Sequence, residues 1–279
     1  MANSQAPTNA SADHSTGQFE MVRRTPSRLL AGVITDLVGF RELVPAYVRQ
    51  SEAASLTVPL VISFGEPFAI GLSRAPGDND RYASFASGLH AGPVVIDSFG
   101  RSCCVQVNFT PLGARRFFGI PMHELADRMV TLDEVLGPDG NALRERLGQE
   151  TGWHRRLDLV ESYIVERLAI TASPAAEIAW AMAKITSSGG RIRIAAIASE
   201  IGCSRKHLAA RFADQVGIGP KAVARIIRFD RTARLARNAD EIDWADLAAE
   251  CGYADQAHLV REFRELSGTT PTALLQKLN

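Results

Sequence analysis

The chain has 279 residues, with 31 Lys and Arg against 31 Asp and Glu, and 46% of its residues are hydrophobic. This composition excludes collagen-like, fibrous and wholly disordered proteins and is typical of a globular protein with about two domains. No stretch has the about 20 consecutive apolar residues of a membrane helix, and the opening residues lack the basic start and apolar core of a secretory leader. We therefore expect a cytoplasmic protein that makes no membrane contact.

The neutral total conceals an uneven distribution of charge. Residues 1–185 carry 17 Lys and Arg against 20 Asp and Glu, whereas residues 186–279 carry 14 against 11. An excess of positive charge in the last third favours a polyanionic partner for that part of the chain.

The first 170 or so residues change character twice along the chain. Residues 1–20 are rich in Ser, Ala, Asn and Thr without an apolar period, which predicts a disordered tail. Short apolar runs at 58–64, 93–99 and 102–109 are each followed by Gly or Pro, which predicts strands. From 111 to 170 apolar residues recur at helical spacing in GARRFFG, MHELADRM, NALRERLG and HRRLDLVESYIVERLAI. We predict a regulatory or dimerisation domain over 21–172, β-rich and then helical.

The longest of these predicted helices carries an apolar stripe. Its members recur every three or four residues and must be covered by another surface. The cover is either the β-rich part of the same chain or a second copy of the chain, as in a homodimer. The stripe consists of Leu157, Val160, Ile164 and Leu168.

The last third of the chain repeats itself with a period of about 50 residues. The series Ala, Gly, Leu, Phe, Gly and Pro occurs twice with nearly the same spacing, and one additional residue lies between the first Gly and the Leu of the second copy. Chance is a poor explanation for six matched positions. The two copies are Ala198, Gly202, Leu208, Phe212, Gly217, Pro220 and Ala248, Gly252, Leu259, Phe263, Gly268, Pro271.

Each copy predicts a helix-turn-helix unit. In the first copy an apolar helix ends at Gly202, which permits a sharp turn, and Ser204 is placed to cap the next helix. Gly252 and Asp255 occupy the same positions in the second copy. We predict an all-α DNA-binding domain over 173–279, in which Ser173 and Pro174 begin the first helix and the two units span about 194–216 and 244–267.

A helix of about 17 residues joins the two units, in the segment PKAVARIIRFDRTARLARN. At 1.5 Å per residue it is about 25 Å long, which approaches the about 34 Å between successive major grooves on one face of DNA. Its arginines recur at every third residue, so some are expected to face DNA and others to pair with Asp230 or Asp240. These arginines are Arg225, Arg228, Arg231, Arg234 and Arg237.

The repeat resembles the DNA-binding region of the AraC/XylS family of bacterial transcription regulators. GCSRKHLAARF is similar to the first recognition segment of that family and GYADQAHLVREFRELSGTTP to the second. The resemblance implies a sequence-specific regulator that places two recognition helices in successive major grooves of double-stranded DNA. It also implies an N-terminal effector or dimerisation domain, with a small-molecule effector, RNA polymerase and a second copy as further partners.

The N-terminal part carries a less specific resemblance. The segment VNFTPLGARRFFGIPMHELADRMVTL is similar to sensory regions of some such regulators, which implies a cupin-like β fold. The fold class expected for the whole chain is therefore α+β and multidomain, with a β-rich domain followed by an all-α domain. Neither the effector nor the choice between activation and repression is indicated by the residues.

Helical geometry selects candidate DNA contacts in the two recognition helices. With Leu208 and Phe212 buried, Lys206 is the one strong donor on the opposite side of the first helix. In the second helix Arg261 is the best candidate for a bidentate contact to guanine, whereas Ala210 stands at the matching position of the first unit. We therefore expect the first unit to recognise mainly shape, methyl groups and phosphate. The predicted DNA-binding residues are Ser204, Arg205, Lys206, Ala209, Ala210, Arg211, Gln256, Ala257, His258, Arg261 and Arg264.

Two of these residues have an alternative interpretation. Gln256 either bonds adenine or is a solvent-exposed neighbour of the helix cap. His258 either packs beside Leu259 or contacts a phosphate. Arg211 is expected to contact phosphate and not a base edge.

Two other classes of function remain as alternatives. A metal- or redox-responsive sensor would act through His90, Cys103 and Cys104, although adjacent side chains of a strand point to opposite faces. An enzyme domain fused to a DNA reader would need convergent ligands, a catalytic triad or a Gly-rich phosphate loop, and the sequence presents none of these patterns. Cys203 and Cys251 flank the two turns and are predicted to pack. We therefore predict no catalytic residue, no metal ligand and no cofactor.

Overall fold

The N-terminal part of the molecule is built from two antiparallel sheets. The structure, a computed structural model, describes residues 11–16, 18–239 and 241–278. The strands are β1 (Ser11–Thr16), β2 (Phe19–Arg24), β3 (Ile34–Glu42), β4 (Val48–Glu52), β5 (Val58–Ser63), β6 (Phe68–Leu72), β7 (Arg81–Tyr82), β8 (Phe85–Ser87), β9 (Val94–Ser98), β10 (Cys103–Phe109) and β11 (Met129–Thr131). One sheet has the order β1-β2-β3-β10-β5-β8-β11 and the other the order β4-β9-β6-β7. The β-rich architecture predicted for this part of the chain is confirmed.

Alternating burial explains why the central strands form where they do. In β10 the side chains of Val105, Val107 and Phe109 are fully buried on one face, and the strand pairs with β3 on one side and β5 on the other. This is the period of two that a strand imposes on its side chains. The apolar runs at 58–64, 93–99 and 102–109 correspond to β5, β9 and β10, so the predicted strands are confirmed.

The first residues of the described chain differ from the sequence prediction. Residues 11–16 form β1, which pairs along its length with β2, although a disordered tail was expected through residue 20. Strand pairing satisfies backbone donors and acceptors whatever the side chains are, so a polar segment without an apolar period can still join a sheet edge. The remainder of the expected tail, residues 1–10, lies outside the described residues.

Helices follow the last central strand. They are α1 (Pro111–Phe118), α2 (Leu132–Leu136), α3 (Pro138–Gln149), α4 (Trp153–Ile170), α5 (Ala176–Ser187), α6 (Ile194–Ile201), α7 (Arg205–Val216), α8 (Pro220–Arg237), α9 (Trp244–Cys251), α10 (Gln256–Ser267) and α11 (Pro271–Leu278). The prediction of a helix in MHELADRM is wrong, because only a 3₁₀ turn forms there, at Met122–Glu124. Asp127 has a left-handed backbone (φ 55°), which prevents a helix from continuing to β11. Among the described residues, no helix combines the length and the apolar character that crossing a bilayer requires.

The apolar stripe of α4 packs within the chain. All four of its residues are at most 5% exposed and belong to the core that contains the strands of the first sheet. Gly39 of β3 permits the close approach of this helix, since a Cβ there would lie 2.4 Å from the ring of Trp153. The intrachain alternative for the stripe is therefore confirmed.

The helix predicted to begin at Ser173 and Pro174 starts later. Ala175 is still extended (φ −61°, ψ 126°), and α5 begins at Ala176. The N–H of Ala175 donates to Oε1 of Gln215 in α7 at 3.2 Å, so a tertiary contact holds this segment outside the helix. A local capping pattern cannot anticipate such a contact.

The hydrophobic core runs from the sheets into the first helix-turn-helix unit. Leu208, Phe212 and Val216 of α7 belong to the same buried cluster as Met122 and the residues of the first sheet. The second unit has a separate core, which includes one buried residue of the N-terminal part, Ala54.

Candidate nucleic-acid interface

The first helix-turn-helix unit consists of α6, a tight turn and α7. Gly202 follows α6 with φ 77°, a conformation that favours glycine. The hydroxyl oxygen of Ser204 then accepts a hydrogen bond of 3.1 Å from the N–H of His207 and caps α7. Leu208 and Phe212 are at most 1% exposed and anchor α7 to α6. These features confirm the local geometry predicted for this unit.

The second unit repeats the arrangement with α9 and α10. Gly252 is left-handed at φ 82°, and a carboxylate oxygen of Asp255 accepts from the N–H of His258 at 2.6 Å. Leu259 and Phe263 are fully buried. The chain therefore contains two units of the same construction in the order that the sequence repeat predicts.

Helix α8 belongs to both units. It has 18 residues and is therefore about 27 Å long. Val223 in its first half packs into the core that holds α7, and Phe229 in its second half packs into the core of the second unit. The ring of Phe229 lies 4.6 Å from that of Phe263. A single continuous helix thus sets the distance between the two units.

Arginines of α8 attach the second unit to this helix. The buried carboxylate of Glu262 accepts from Arg225 at 2.9 Å and from Arg228 at 2.7 and 2.8 Å, and Arg231 lies 3.1 Å from Glu250. The predicted pairing with Asp230 is wrong, since these acidic partners come from α9 and α10, and Asp240 lies outside the described residues. Arginines at every third position point in different directions around a helix. The partner of each arginine therefore depends on the element that packs against that side of α8.

A buried tyrosine completes this network. The guanidinium of Arg228 lies 4.7 Å from the ring centre of Tyr253. Burial raises the pKa of the Tyr253 hydroxyl to about 12, so the ring stays neutral beside the charged group. The face of α10 that carries Glu262 is therefore fixed in place, and the opposite face is left to solvent.

The candidate residues of the first unit lie mostly on the free side of α7. Arg205 and Lys206 in the first turn are exposed, as are Ala209 and Ala210 one turn later, and Ser204 is exposed while its oxygen caps the helix. Arg211 differs, because it is half-buried and its guanidinium bonds the carboxylate of Glu177 in α5. Arg205 and Lys206 are thus the exposed Lys and Arg side chains of α7.

The candidate residues of the second unit divide in the same way. Gln256, Ala257, Arg261 and Arg264 are exposed. His258 is half-buried, since its Nδ1 accepts from the N–H of Ala254 at 3.3 Å and its ring stands edge-on to Tyr253 with the ring centres 5.4 Å apart. These contacts favour the packed interpretation of His258.

A basic groove of about 820 Å³ separates the two units, and sequence reasoning missed two of its residues. The start of α6 contributes Arg193, the start of α8 contributes Lys221, and α10 contributes Arg261, and all three side chains are exposed. The acidic groups in the groove, Glu262 and Glu265, are already paired with arginines of α8. No local pattern marks Arg193 or Lys221, because their convergence depends on how three helices pack.

The residues proposed for the sensor alternative do not form a ligand cluster. Among the residues that the structure describes, no group of three His, Cys, Asp or Glu side chains could hold a metal ion. The two ring nitrogens of His90 are bonded to Ser73 and Asp127, at 2.7 Å each. Cys104 is buried, which raises the pKa of its thiol and keeps the unreactive protonated form.

Comparison with known proteins matches two segments of the chain. A family described as a helix-turn-helix domain matches residues 197–277, and a family described as a domain of unknown function (DUF6597) matches residues 22–131. A search of curated proteins found no significant match. The resemblance to AraC-type regulators noted in the repeat is confirmed by the first of these matches.

Several solved structures match the chain at low identity and with TM-scores below 0.5. The apo form of a ToxT variant from Vibrio cholerae is 12% identical, with a TM-score of 0.46 over 96% of this chain and 100% of that chain. The C-terminal domain of AraT, a response regulator from Geobacillus stearothermophilus, is 18% identical, with a TM-score of 0.35 over 38% of this chain and 88% of that chain. The AraC-like transcriptional activator CuxR is 12% identical, with a TM-score of 0.32 over 93% and 79% of the two chains.

The duplicated unit, its exposed recognition helices and the matched segments lead to one conclusion. The chain carries an AraC-type helix-turn-helix domain over residues 197–277, behind an N-terminal segment that matches the DUF6597 family over residues 22–131.

Proposed function

We propose that the chain recognises an operator by placing the first turns of α7 and α10 in successive major grooves, with α8 lying between them. Lys206 and Arg261 would address base edges, and Arg205, Arg264 and the basic groove would contact the intervening phosphates. The remaining predicted residues, Ser204, Ala209, Ala210, Gln256 and Ala257, would lie against the same grooves. Arg211 and His258 would act indirectly, by fixing the helices that carry the contacts.

One observation carries this proposal. The start of α7 exposes Arg205 and Lys206, and the first two turns of α10 expose Gln256, Ala257 and Arg261. The final two residues of each helix are buried, Gln215 and Val216 in α7 and Leu266 and Ser267 in α10. A helix that enters a groove must present its N-terminal residues free of other contacts. The groove between the units adds positive charge on the route that a DNA backbone would follow from one recognition helix to the other.

The test is selection of duplexes from a random pool by the full chain, followed by binding measurements on single-base variants. Lys206→Ala and Arg261→Ala should each relax preference within a different half of the selected site. Arg146→Ala, which removes an exposed arginine from α3, is the matched control and should leave the preference unchanged. Failure of the wild-type chain to enrich any sequence would overturn the proposal.

We further propose that a small-molecule effector binds between the two sheets. A cavity of about 300 Å³ lies there, at the lower end of the range of ligand sites in proteins. Its lining combines apolar side chains such as Ile70 and Phe85 with polar ones such as His90, Gln106 and Asn108. Native mass spectrometry of the protein purified from its own host should detect a bound molecule. The substitution Phe85→Trp reduces the volume of the cavity and should abolish binding of that molecule.

We also propose that the protein is a transcription regulator that acts in the cytoplasm as a homodimer. It would contact RNA polymerase and catalyse no reaction. An exposed apolar strip supports the dimer, because Leu43, Val44, Tyr47 and Val48 are 37 to 57% exposed within six residues of sequence. Tyr47→Ser combined with Val44→Ser should convert the dimer to a monomer in sedimentation. A wild-type chain that is monomeric at all concentrations would refute this part of the proposal.

A further inference from the structure

The last turns of both recognition helices are held by the N-terminal part of the molecule. Gly217, which ends α7, lies against the 3₁₀ turn at Met122–Glu124, and a Cβ on this glycine would be 3.1 Å from the carbonyl oxygen of Met122. The carbonyl of Leu266 in α10 accepts a hydrogen bond of 2.7 Å from the N–H of Ala54. Each unit is therefore attached to the sheets at the end of the helix that does not meet DNA.

A second N-terminal segment reaches the end of α10. A Cβ on Gly268, the residue that caps α10, would be 3.3 Å from the ring of Pro93. Ala91 packs against the core of the second unit. Residues 91–93 and the 3₁₀ turn are thus two contact surfaces, one for each unit, which we call the clamp surfaces.

A chain of hydrogen bonds joins the two clamp surfaces through His90. Its Nδ1 lies 2.7 Å from Oδ1 of Asp127, three residues beyond the 3₁₀ turn, and its Nε2 lies 2.7 Å from Oγ of Ser73. The N–H of Ser73 in turn donates to the carbonyl of Pro93 at 2.7 Å. Because a carboxylate can only accept, the imidazole donates from Nδ1, and the neutral ring then accepts the Ser73 hydroxyl at Nε2.

The backbone around His90 is constrained to make this chain possible. Among the described residues, Ser73 (φ 54°) and Asp127 (φ 55°) are the only non-glycine residues with a positive φ. Such conformations persist where the surrounding contacts enforce them. A Cβ on Gly92 would lie 2.2 Å from Oγ of Ser73 and 2.9 Å from Nε2 of His90, so only glycine lets the segment pass this close.

We infer that the Ser73–His90–Asp127 chain is a positioning element that holds the two clamp surfaces in a fixed relation and thereby fixes the spacing of the two recognition helices. Helix α8 sets the distance between the units, and its ion pairs hold the second unit against it. The connection through the sheets is a second restraint on the orientation of the two units. The inference rests on the proposed mode of DNA binding. It assigns to His90 the control of how much variation in the spacing between half-sites the protein tolerates.

The test uses the operator selected by the full wild-type chain and a series of duplexes with one or two base pairs inserted or removed between its half-sites. Wild type should lose about tenfold or more in affinity per altered base pair, the scale of a lost base contact. His90→Ala should bind the unaltered operator nearly as well and lose less than about threefold on the altered ones. His90→Gln, which can donate and accept at one time, should restore part of the discrimination. Asn141→Ala, which removes an exposed hydrogen bond to Asp133, is the control and should match wild type.

A second measurement needs no DNA. Amide hydrogen exchange in His90→Ala should accelerate at the ends of both α7 and α10, at 213–217 and 264–268. The inference is overturned if exchange accelerates only in the loops around Ser73 and Asp127, or if a folded His90→Ala keeps the spacing preference of wild type. If His90→Ala does not fold, Asp127→Gly is used instead, because it removes the acceptor at one end of the chain and permits the positive φ of this position, and the same outcomes are expected. Failure of wild type to select DNA would refute the proposed function, while the exchange result still decides the clamp.

Discussion

Removing the buried carboxylate of Glu262 should destabilise the protein by about 2 to 3 kcal/mol. This side chain is 6% exposed and accepts from both Arg225 and Arg228, whose side chains are 26% and 14% exposed. Loss of one partner of a buried pair costs about 3 to 5 kcal/mol, because the other charge stays buried without compensation. We place Glu262→Ala below that range because Arg225 retains Glu265 and reaches water.

The neighbouring Glu265 provides the matched control. Its side chain is 58% exposed, and among the residues that the structure describes it pairs only with Arg225. Surface pairs of this kind contribute about 0 to 1 kcal/mol, so Glu265→Ala should have little effect. Both variants remove one negative charge from α10, so the difference between them isolates burial from net charge.

The assay is equilibrium urea unfolding of the full chain, monitored by far-ultraviolet circular dichroism. The free energies of unfolding of the variants are compared where the slope of the free energy against urea concentration is the same. A change in the midpoint without a change in slope reports stability alone. The reasoning would be refuted if the two substitutions lower the free energy of unfolding by amounts that agree within about 0.5 kcal/mol, which is the usual scatter of surface substitutions. The Glu262 network would then be a surface feature that does not fix the orientation of α10.

Four further predictions concern the helix-turn-helix units. Arg261→Ala should remove about 1 to 3 kcal/mol of discrimination at one base position, measured on all single-base variants of the operator. Arg193→Ala and Lys221→Ala should each reduce the slope of log affinity against log salt by about 0.9, equally for every sequence. Gly202→Ala should cost about 1 to 2 kcal/mol in thermal unfolding, because φ is 77° although no atom lies within 4 Å of the new Cβ. Tyr253 should ionise near pH 12 in an absorbance titration, and Tyr253→Phe should remove that step.

The first three of these predictions would be contradicted by the following outcomes. A uniform loss of affinity over all sequences would make Arg261 a phosphate contact. An unchanged salt slope would place Arg193 and Lys221 away from the DNA backbone, and Lys184→Ala in α5, whose ammonium already faces Glu200 at 3.7 Å, is the control for that slope. A Gly202→Ala variant as stable as wild type would show that the turn can relax.

The two helix-turn-helix units could be predicted because their determinants are local. A glycine at the turn, an N-cap residue and two apolar anchors lie within about a dozen residues of each other in each copy, and all of them act through the backbone of that segment. For the sheets, the sequence predicts individual strands but not how those strands pair. β10 pairs with β3 and with β5, at sequence separations that no local pattern encodes, and β1 forms from a polar segment whose side chains carry no strand pattern.

The candidate site was predictable to the same extent. The exposure of Lys206 and Arg261 follows from helical geometry once the buried anchors are known, and the structure agrees. The bond from Arg211 to Glu177 and the convergence of Arg193 and Lys221 depend on how α5, α6 and α8 pack. Side chains that act through a neighbouring helix are therefore the ones that sequence reasoning assigns wrongly or misses.

The two units differ in how firmly the N-terminal part holds them, and this bears on regulation. The first unit shares one continuous core with the first sheet, so moving α7 would expose buried apolar surface of both. The second unit has its own core and meets the sheets through Ala54 and residues 91–93. Those two segments also flank the cavity between the sheets, whose lining includes Ala54 and His90. A molecule that enters the cavity therefore meets the contacts of the second unit first, and that unit carries Arg261, the residue we expect to discriminate bases.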